Sequence, residues 1–128
     1  MLELKDVSVV FNEGTVNEKV ALSHIDLKLD DGDFVTIIGS NGAGKSTLFQ
    51  AISGAVETKT GSIILNHQDI TFEPEYKRSR QIGRLFQDPL KGTAPHMTIE
   101  ENLHLSNQRG KHFSLNLMSH KHRQQFKE

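Results

Sequence analysis

The chain has 128 residues, of which 35% are apolar and 24% are charged, and it contains no cysteine. This length and composition are typical of one small domain with a single hydrophobic core. The lack of cysteine excludes disulfides and thiolate metal sites. No apolar run reaches the roughly 20 residues of a membrane-spanning helix, and the N-terminus lacks the apolar stretch of a signal peptide. We therefore expect a cytoplasmic protein.

The charges are unevenly distributed along the chain. Residues 1–106 carry ten Lys and Arg against fifteen Asp and Glu, whereas residues 107–128 carry five against one. Two interpretations are open for the basic end: a face that meets an acidic partner or phosphates, or one solvated helix face. The second is favoured because five scattered charges do not form a block.

Three strands are predicted in the first third of the chain. Apolar and polar residues alternate over residues 2–11 and again over residues 25–29, which indicates two half-buried strands. An Asp-Gly turn at residues 30–33 follows. Residues 34–38 read Phe-Val-Thr-Ile-Ile, and this apolar, β-branched run predicts a strand buried on both faces.

Helices and short strands are predicted further along. Residues 45–53 fit a short helix, with Gly54 in the position of a C-terminal cap. Short apolar runs predict strands at residues 63–65 and 82–86, and Pro74 is placed to open a helix that continues through Arg80. Residues 98–101 have the spacing of a capping box, which predicts a helix that starts near Ile99.

The strongest motif is a glycine-rich loop between a predicted strand and a predicted helix. Gly39 to Ser46 fits the phosphate-loop pattern G-x-x-x-x-G-K-[ST]. Glycines let the backbone curl tightly, so successive N–H groups form an anion nest at the positive end of the helix. The residues predicted to bind the phosphates of MgATP are Gly39, Ser40, Asn41, Gly42, Ala43, Gly44, Lys45, Ser46 and Thr47.

Individual roles follow from this motif. Lys45 should reach the β- and γ-phosphates, and the Ser46 hydroxyl should ligate Mg²⁺. Thr47 is placed to bond the α-phosphate. The alternative is a structural turn between a strand and a helix, but such a turn has no need for Lys-Ser-Thr directly after its last glycine.

A phosphate loop alone does not distinguish kinases, GTPases, recombinases and transport ATPases. Here two half-buried strands precede the loop strand, Gln87 follows Lys45 by 42 residues within Gly-Arg-Leu-Phe-Gln-Asp-Pro, and residues 97–103 read Met-Thr-Ile-Glu-Glu-Asn-Leu. Together these features, over residues 2–104, resemble the N-terminal part of the nucleotide-binding domain of ABC transporters.

The resemblance implies an α/β fold, that of a P-loop NTPase of ABC type, and it implies that the domain is incomplete in this chain. N-terminal antiparallel β strands would be followed by the start of a RecA-like core and of a helical subdomain. In these terms residues 1–128 are a partial ABC ATPase domain. Residues 1–95 would be the β subdomain and phosphate-loop core, and residues 96–128 the start of the helical subdomain.

The resemblance also implies roles for two residues outside the loop. Phe11 matches the aromatic residue that stacks on adenine, for which a flat polarizable face suffices; the alternative is an ordinary strand-end aromatic. Gln87 matches the residue that touches Mg²⁺ or the attacking water and reports the γ-phosphate; the alternative is a solvated glutamine. Lys45 and Gln87 would be the catalytic residues, and Ser46 and Gln87 the metal ligands.

Other parts of the family pattern are missing. Hydrolysis needs a carboxylate after an apolar strand and a neighbouring glutamate that polarises water, and neither predicted strand after the loop ends in Asp-Glu. The Leu-Ser-Gly-Gly-Gln signature is also absent, because residues 105–110 lack its paired glycines. No histidine pair shows the spacing of a zinc helix. We therefore expect this chain to be the front half of a longer protein. We also expect that these 128 residues do not turn over ATP by themselves.

The resemblance implies that the protein couples ATP binding and hydrolysis to membrane transport. The implied direction is import, and the implied cargo is a small solute. The implied partners are a transmembrane permease subunit and a second ATP-binding subunit, which dimerises with the first across ATP at the cytoplasmic face of the membrane. Two alternatives stay open: a soluble ABC-type ATPase that acts on nucleic acid or ribosomes, and a non-hydrolysing nucleotide-binding module. The net acidity of residues 1–106 argues against direct nucleic-acid binding.

Overall fold

The computed structural model describes residues 1–86 and 88–107 of the chain. They belong to two compact units, one from Met1 to Arg78 and one that begins at Ser79. The first unit contains strands β1 (Leu2–Phe11), β2 (Lys19–Leu29), β3 (Thr60–Leu65) and β4 (Gln68–Asp69), and helices α1 (Lys45–Ser53) and α2 (Glu75–Arg78). The second contains a 3-10 turn (Pro89–Gly92) and helix α3 (Ile99–Asn107).

The first unit is built on an antiparallel sheet with the strand order β2-β1-β3-β4. The middle strand β1 pairs Leu4 with Leu27 of β2 on one side and with Ile63 of β3 on the other. Helix α1 contacts β2. The buried apolar side chains come from the sheet, from α1 and from the segment after β4: Leu4, Val7, Val9, Leu22, Leu48, Ala51, Ile63 and Ile70. Both N-terminal strand predictions are confirmed, and β2 begins earlier than predicted.

The alternation in β1 changes phase at Asp6. Leu4 is buried before this point and Val7 and Val9 are buried after it, so the inward side switches from even to odd positions. Asp6 has a left-handed backbone with φ 53°, the register with β2 shifts there, and His24 of β2 is also left-handed with φ 49°. A β-bulge inserts one extra residue and so reverses the faces of the strand beyond it.

The prediction of a strand at residues 34–38 is wrong. The segment forms neither strand nor helix, and its side chains Phe34 and Ile38 are 95% and 90% exposed. A strand buried on both faces needs neighbours that satisfy its backbone groups and cover its side chains. The described part of the chain provides no such neighbour, since its one sheet contains β1 to β4 only.

Two further elements differ from expectation. Residues 82–86 were predicted as a strand, but they form no strand in the structure; a short apolar run specifies a strand only where a partner pairs with it. The helix after Pro74 ends at Arg78 rather than Arg80. The strand predicted at residues 63–65 is confirmed and is longer, since β3 begins at Thr60.

In the second unit, α3 begins at Ile99, where the capping box predicts it. The Thr98 N–H and hydroxyl both donate to Glu101 Oε2, at 2.8 and 2.9 Å, and the Glu101 N–H donates back to Thr98 Oγ1 at 3.3 Å. Asn102 fixes the preceding loop, since it exchanges hydrogen bonds with both the N–H and the carbonyl of Ala94. None of the helices among the described residues has the length and hydropathy needed to cross a membrane.

Candidate phosphate-binding site

The glycine-rich loop leads directly into α1, as predicted. Gly42 and Gly44 have φ values of 83° and 84°, in the left-handed region that glycine adopts without penalty. The Ala43 N–H donates to the Ser40 carbonyl at 3.2 Å, which closes a turn within the loop. The Leu48 N–H donates to the Gly44 carbonyl at 2.8 Å, which makes Gly44 the N-cap of the helix.

Lys45 folds back over this loop. Its Nζ donates to the carbonyls of Gly39 and Ser40, both at 2.6 Å. Hydrogen bonds from an ammonium are stronger than those between neutral groups, so the side chain holds the start of the loop near the start of the helix. The positive charge of Lys45 is thereby placed at the mouth of the loop.

The electrostatic setting of the loop favours an anion. The first turn of α1 contains no acidic residue, and its N-cap is a glycine that offers no side-chain acceptor. The positive end of the helix dipole is therefore not neutralised locally. Ser46 is exposed and Thr47 is half-buried, so the Ser46 hydroxyl is accessible as an oxygen ligand, of the kind that Mg²⁺ prefers.

The loop lies against β2 through Gly44. A Cβ at this position would lie 2.6 Å from the Ala21 carbonyl oxygen and 3.1 Å from Leu22 Cδ2. Phe11, which is half-buried, pairs with Lys19 just before this part of β2. Phe11 is therefore at the end of the β1–β2 pair that also carries the phosphate loop.

Gln87 lies outside the described residues, and only its neighbours can be placed. Phe86 is half-buried, with the Arg84 guanidinium 4.8 Å from its ring centre. Asp88 caps the following 3-10 turn by accepting a hydrogen bond from the Leu90 N–H at 3.0 Å. Within the described ranges, no group of three or more His, Asp or Glu residues is arranged to hold a metal ion.

The sequence interpretation missed one residue, Arg78, which is only 4% exposed and is bonded to the end of α1. No pattern in the sequence distinguishes it from its basic neighbours Lys77 and Arg80, both of which are exposed. Burial lowers the pKa of Arg78, and the nearby Glu73 and Asp69 act in the opposite direction.

Comparison with known proteins identifies the family of the chain. The sequence profile of the ABC transporter family matches residues 22–128. A tyrosine transport ATP-binding protein of Clostridioides difficile is 43% identical over 115 residues, which are 90% of this chain and 46% of that protein. A carnitine transport ATP-binding protein of Listeria monocytogenes is 37% identical over 103 residues, 80% of this chain and 24% of that protein.

Solved structures show the same fold. A dimeric ATP-binding cassette in a post-hydrolysis state, bound to ADP and Pi, superposes with a TM-score of 0.76 at 25% identity, over 98% of this chain and 53% of that one. The cassette of another ABC transporter gives a TM-score of 0.69 at 30% identity, over 87% of this chain and 42% of that one. The chain thus spans less than half the length of these curated relatives. It belongs to the ATP-binding subunits of ABC transporters, as a partial domain of the P-loop α/β fold.

Proposed function

We propose that the chain is the MgATP-binding part of an ABC transporter ATPase that couples ATP binding and hydrolysis to transport. The observation that carries the proposal is the phosphate loop. Left-handed Gly42 and Gly44, the Lys45 ammonium and the unneutralised start of α1 converge on one short stretch of backbone. This combination of N–H groups, dipole and cation suits a polyphosphate.

Within this proposal each side chain of the loop has a separate task. Residues 39–44 supply backbone N–H groups, and Lys45 exchanges its two carbonyl acceptors for β- and γ-phosphate oxygens. Ser46 and Gln87 would hold Mg²⁺, and Thr47 would bond the α-phosphate. When bound, Mg²⁺ would offset negative charge on the phosphates during hydrolysis.

The proposed substrate class is a small imported solute. Relatives are named for transport of tyrosine and of carnitine, and another belongs to an energy-coupling factor transporter. We assign a transmembrane permease as the partner and place the subunit at the cytoplasmic face of the membrane. A second ATP-binding subunit would complete the site, in line with the dimeric state of the solved cassette. Residues 1–95 would form the β subdomain and loop core, and residues 96–128 would begin the helical subdomain.

Uptake measurements test the transport function. In cells that carry the gene, Lys45→Ala should lower energy-dependent uptake of the transported solute, and tyrosine is the first solute to test. Lys28→Ala is the matched control, because Lys28 is an exposed lysine at the far end of β2. Loss of tyrosine uptake in the first strain and not in the second supports the proposal. Unchanged uptake of tyrosine, carnitine and other small solutes in the Lys45→Ala strain would contradict it.

Phe11 should contribute to binding of the adenine ring. Phe11→Ala is expected to weaken binding of a fluorescent ATP analogue by about 1 kcal/mol, whereas Phe11→Tyr should be close to neutral because it keeps the aromatic face. Phe72→Ala serves as control, because Phe72 is an exposed aromatic residue in the same unit. An alanine variant at Phe11 that is as stable and binds as tightly as wild type would show that Phe11 does not stack on adenine.

The 128 residues alone should bind MgATP without meaningful turnover. Phosphoryl transfer depends mainly on positioning and electrostatic stabilisation, and no apolar strand of this sequence is followed by Asp-Glu. A phosphate-release assay on the purified chain measures this, with Lys45→Ala as the control for contaminating ATPase. Turnover of about 1 per second, within the range of P-loop enzymes and kinases, that disappears in Lys45→Ala would reveal a catalytic carboxylate elsewhere in the chain.

A further inference from the structure

The buried side chain of Arg78 donates hydrogen bonds to four backbone carbonyls. Nη1 donates to Ala51 at 2.8 Å and to Ile52 at 3.0 Å, Nη2 donates to Thr71 at 2.8 Å, and Nε donates to Glu73 at 2.8 Å. One planar guanidinium thus connects the last turn of α1 to the segment between β4 and α2. Arginine suits this task because its five donors are held in a fixed fork.

The two α1 carbonyls lie at the C-terminal end of the helix, where carbonyls lack N–H donors within the helix. The last four carbonyls of a helix have no partner within it, and a cation at this end is favoured by the helix dipole. Gly54 completes the arrangement with a left-handed backbone, φ 81°, and its N–H donates to the Ala51 carbonyl. A Cβ on Gly54 would lie 2.9 Å from Arg78 Nε, so the glycine also makes room for the arginine.

The other end of the same helix carries the phosphate loop. Helix α1 has only nine residues, and isolated helices of this length are marginal in water because nucleation is costly. Its order therefore depends on its surroundings. A bound phosphate would order the first turn, and Arg78 orders the last turn. Two interactions that order one cooperative element favour each other, whatever the distance between them.

We propose that Arg78 is a positioning residue for the phosphate-binding loop, acting through α1 on the affinity for MgATP. The inference rests on the proposed function, since it concerns nucleotide binding by that loop. The four carbonyls that accept from Arg78 all lie outside residues 39–47, so its effect on binding would be indirect.

Thr71 offers a matched control for a purely structural role. It is as buried as Arg78, and its hydroxyl accepts from the Ile63 N–H at 2.9 Å and donates to Asp69 Oδ1 at 2.5 Å. These two hydrogen bonds stabilise β3 and β4 rather than α1. The hydrogen bonds from Thr71 also keep the pKa of Asp69 below its usual value. Thr71→Val removes them and leaves the Thr71 carbonyl available to Arg78.

The test compares wild type, Arg78→Met, Arg78→Lys and Thr71→Val by titration with a fluorescent ATP analogue and Mg²⁺. Each is measured well below its own unfolding midpoint, on the full chain. We expect Arg78→Met to raise Kd about tenfold, within the usual range of coupling between two sites. Arg78→Lys keeps the charge but loses the fork, and it should raise Kd about threefold. Thr71→Val should lower the unfolding midpoint with less than about a twofold change in Kd.

Thermal unfolding supplies the reciprocal measurement. Because Arg78→Met would bind MgATP more weakly, saturating MgATP should stabilise it less, and its Tm difference from wild type should widen. The Tm difference of Thr71→Val should stay constant. Arg78 variants with wild-type Kd, or a Thr71→Val variant weakened as much as Arg78→Met, would overturn the inference. If Arg78→Met does not fold, an unchanged Kd in Arg78→Lys is enough to overturn the inference about Arg78. A folded wild-type chain that does not bind MgATP would instead refute the proposed function.

Discussion

Lys45→Ala should weaken binding of MgATP by about 2 kcal/mol or more, which is roughly thirtyfold in Kd. In the structure the ammonium already makes two bonds of 2.6 Å to the carbonyls of Gly39 and Ser40. Nucleotide binding would exchange these neutral acceptors for charged phosphate oxygens, so the gain is the difference between the two sets. The alanine variant loses the loop closure as well as the phosphate contact.

Equilibrium titration with a fluorescent ATP analogue measures this effect. Lys28→Ala is again the control, because it removes one exposed ammonium of the same unit and leaves the loop unchanged. Its Kd should match that of wild type within about twofold, since exposed charges at a distance are screened by salt. Equal affinity in wild type and Lys45→Ala would remove Lys45 from the binding site.

Gly44→Ala should destabilise the fold strongly, with a loss of about 3 kcal/mol in the free energy of unfolding. A left-handed backbone costs a non-glycine residue about 1–2 kcal/mol, and overpacking costs about 1–3 kcal/mol more. Here the added methyl would lie 2.6 Å from the Ala21 carbonyl oxygen, a backbone atom that cannot rotate away. The loop and β2 would have to separate, which also displaces the start of α1.

Two other glycines allow the cost of the left-handed backbone to be separated from the cost of the steric clash. Gly42 and Gly32 have φ values of 83° and 90°, and a Cβ at either would have no heavy atom within 4 Å. Gly42→Ala and Gly32→Ala should therefore lose only the backbone component, about 1–2 kcal/mol each. Urea unfolding of the three variants provides the comparison. A Gly44→Ala variant no less stable than Gly42→Ala would show that the loop does not pack on β2 as described.

The start of α3, the end of α1 and the phosphate loop could be predicted because neighbouring residues in the sequence determine them. The capping box at Thr98 and the glycine at position 54 fix the start of α3 and the end of α1 through bonds among near neighbours. The phosphate loop is similar, since its glycines, lysine and following helix occupy one short stretch. The phase change at Asp6 was visible as Leu4 followed by Val7, but its cause, a bulge matched by His24, requires the paired strand.

The remaining features depend on distant parts of the chain. The apolar run at residues 34–38 has the composition of a central strand, yet a strand exists only where another one pairs with it. Arg78 is buried because four carbonyls, two of them on a helix more than 25 residues earlier, converge on its guanidinium. Basic residues are normally exposed, so nothing in the local sequence indicates this position.

Calorimetric titration of MgATP, MgADP and AMP into the wild-type chain measures whether the loop recognises the phosphates of a nucleotide. The loop predicts one saturable site for MgATP and MgADP. AMP should bind at least about thirtyfold more weakly, because it lacks the β- and γ-phosphates that Lys45 and the loop N–H groups would hold. AMP binding as tight as MgATP binding, or no saturable MgATP binding by folded protein, would contradict the assignment.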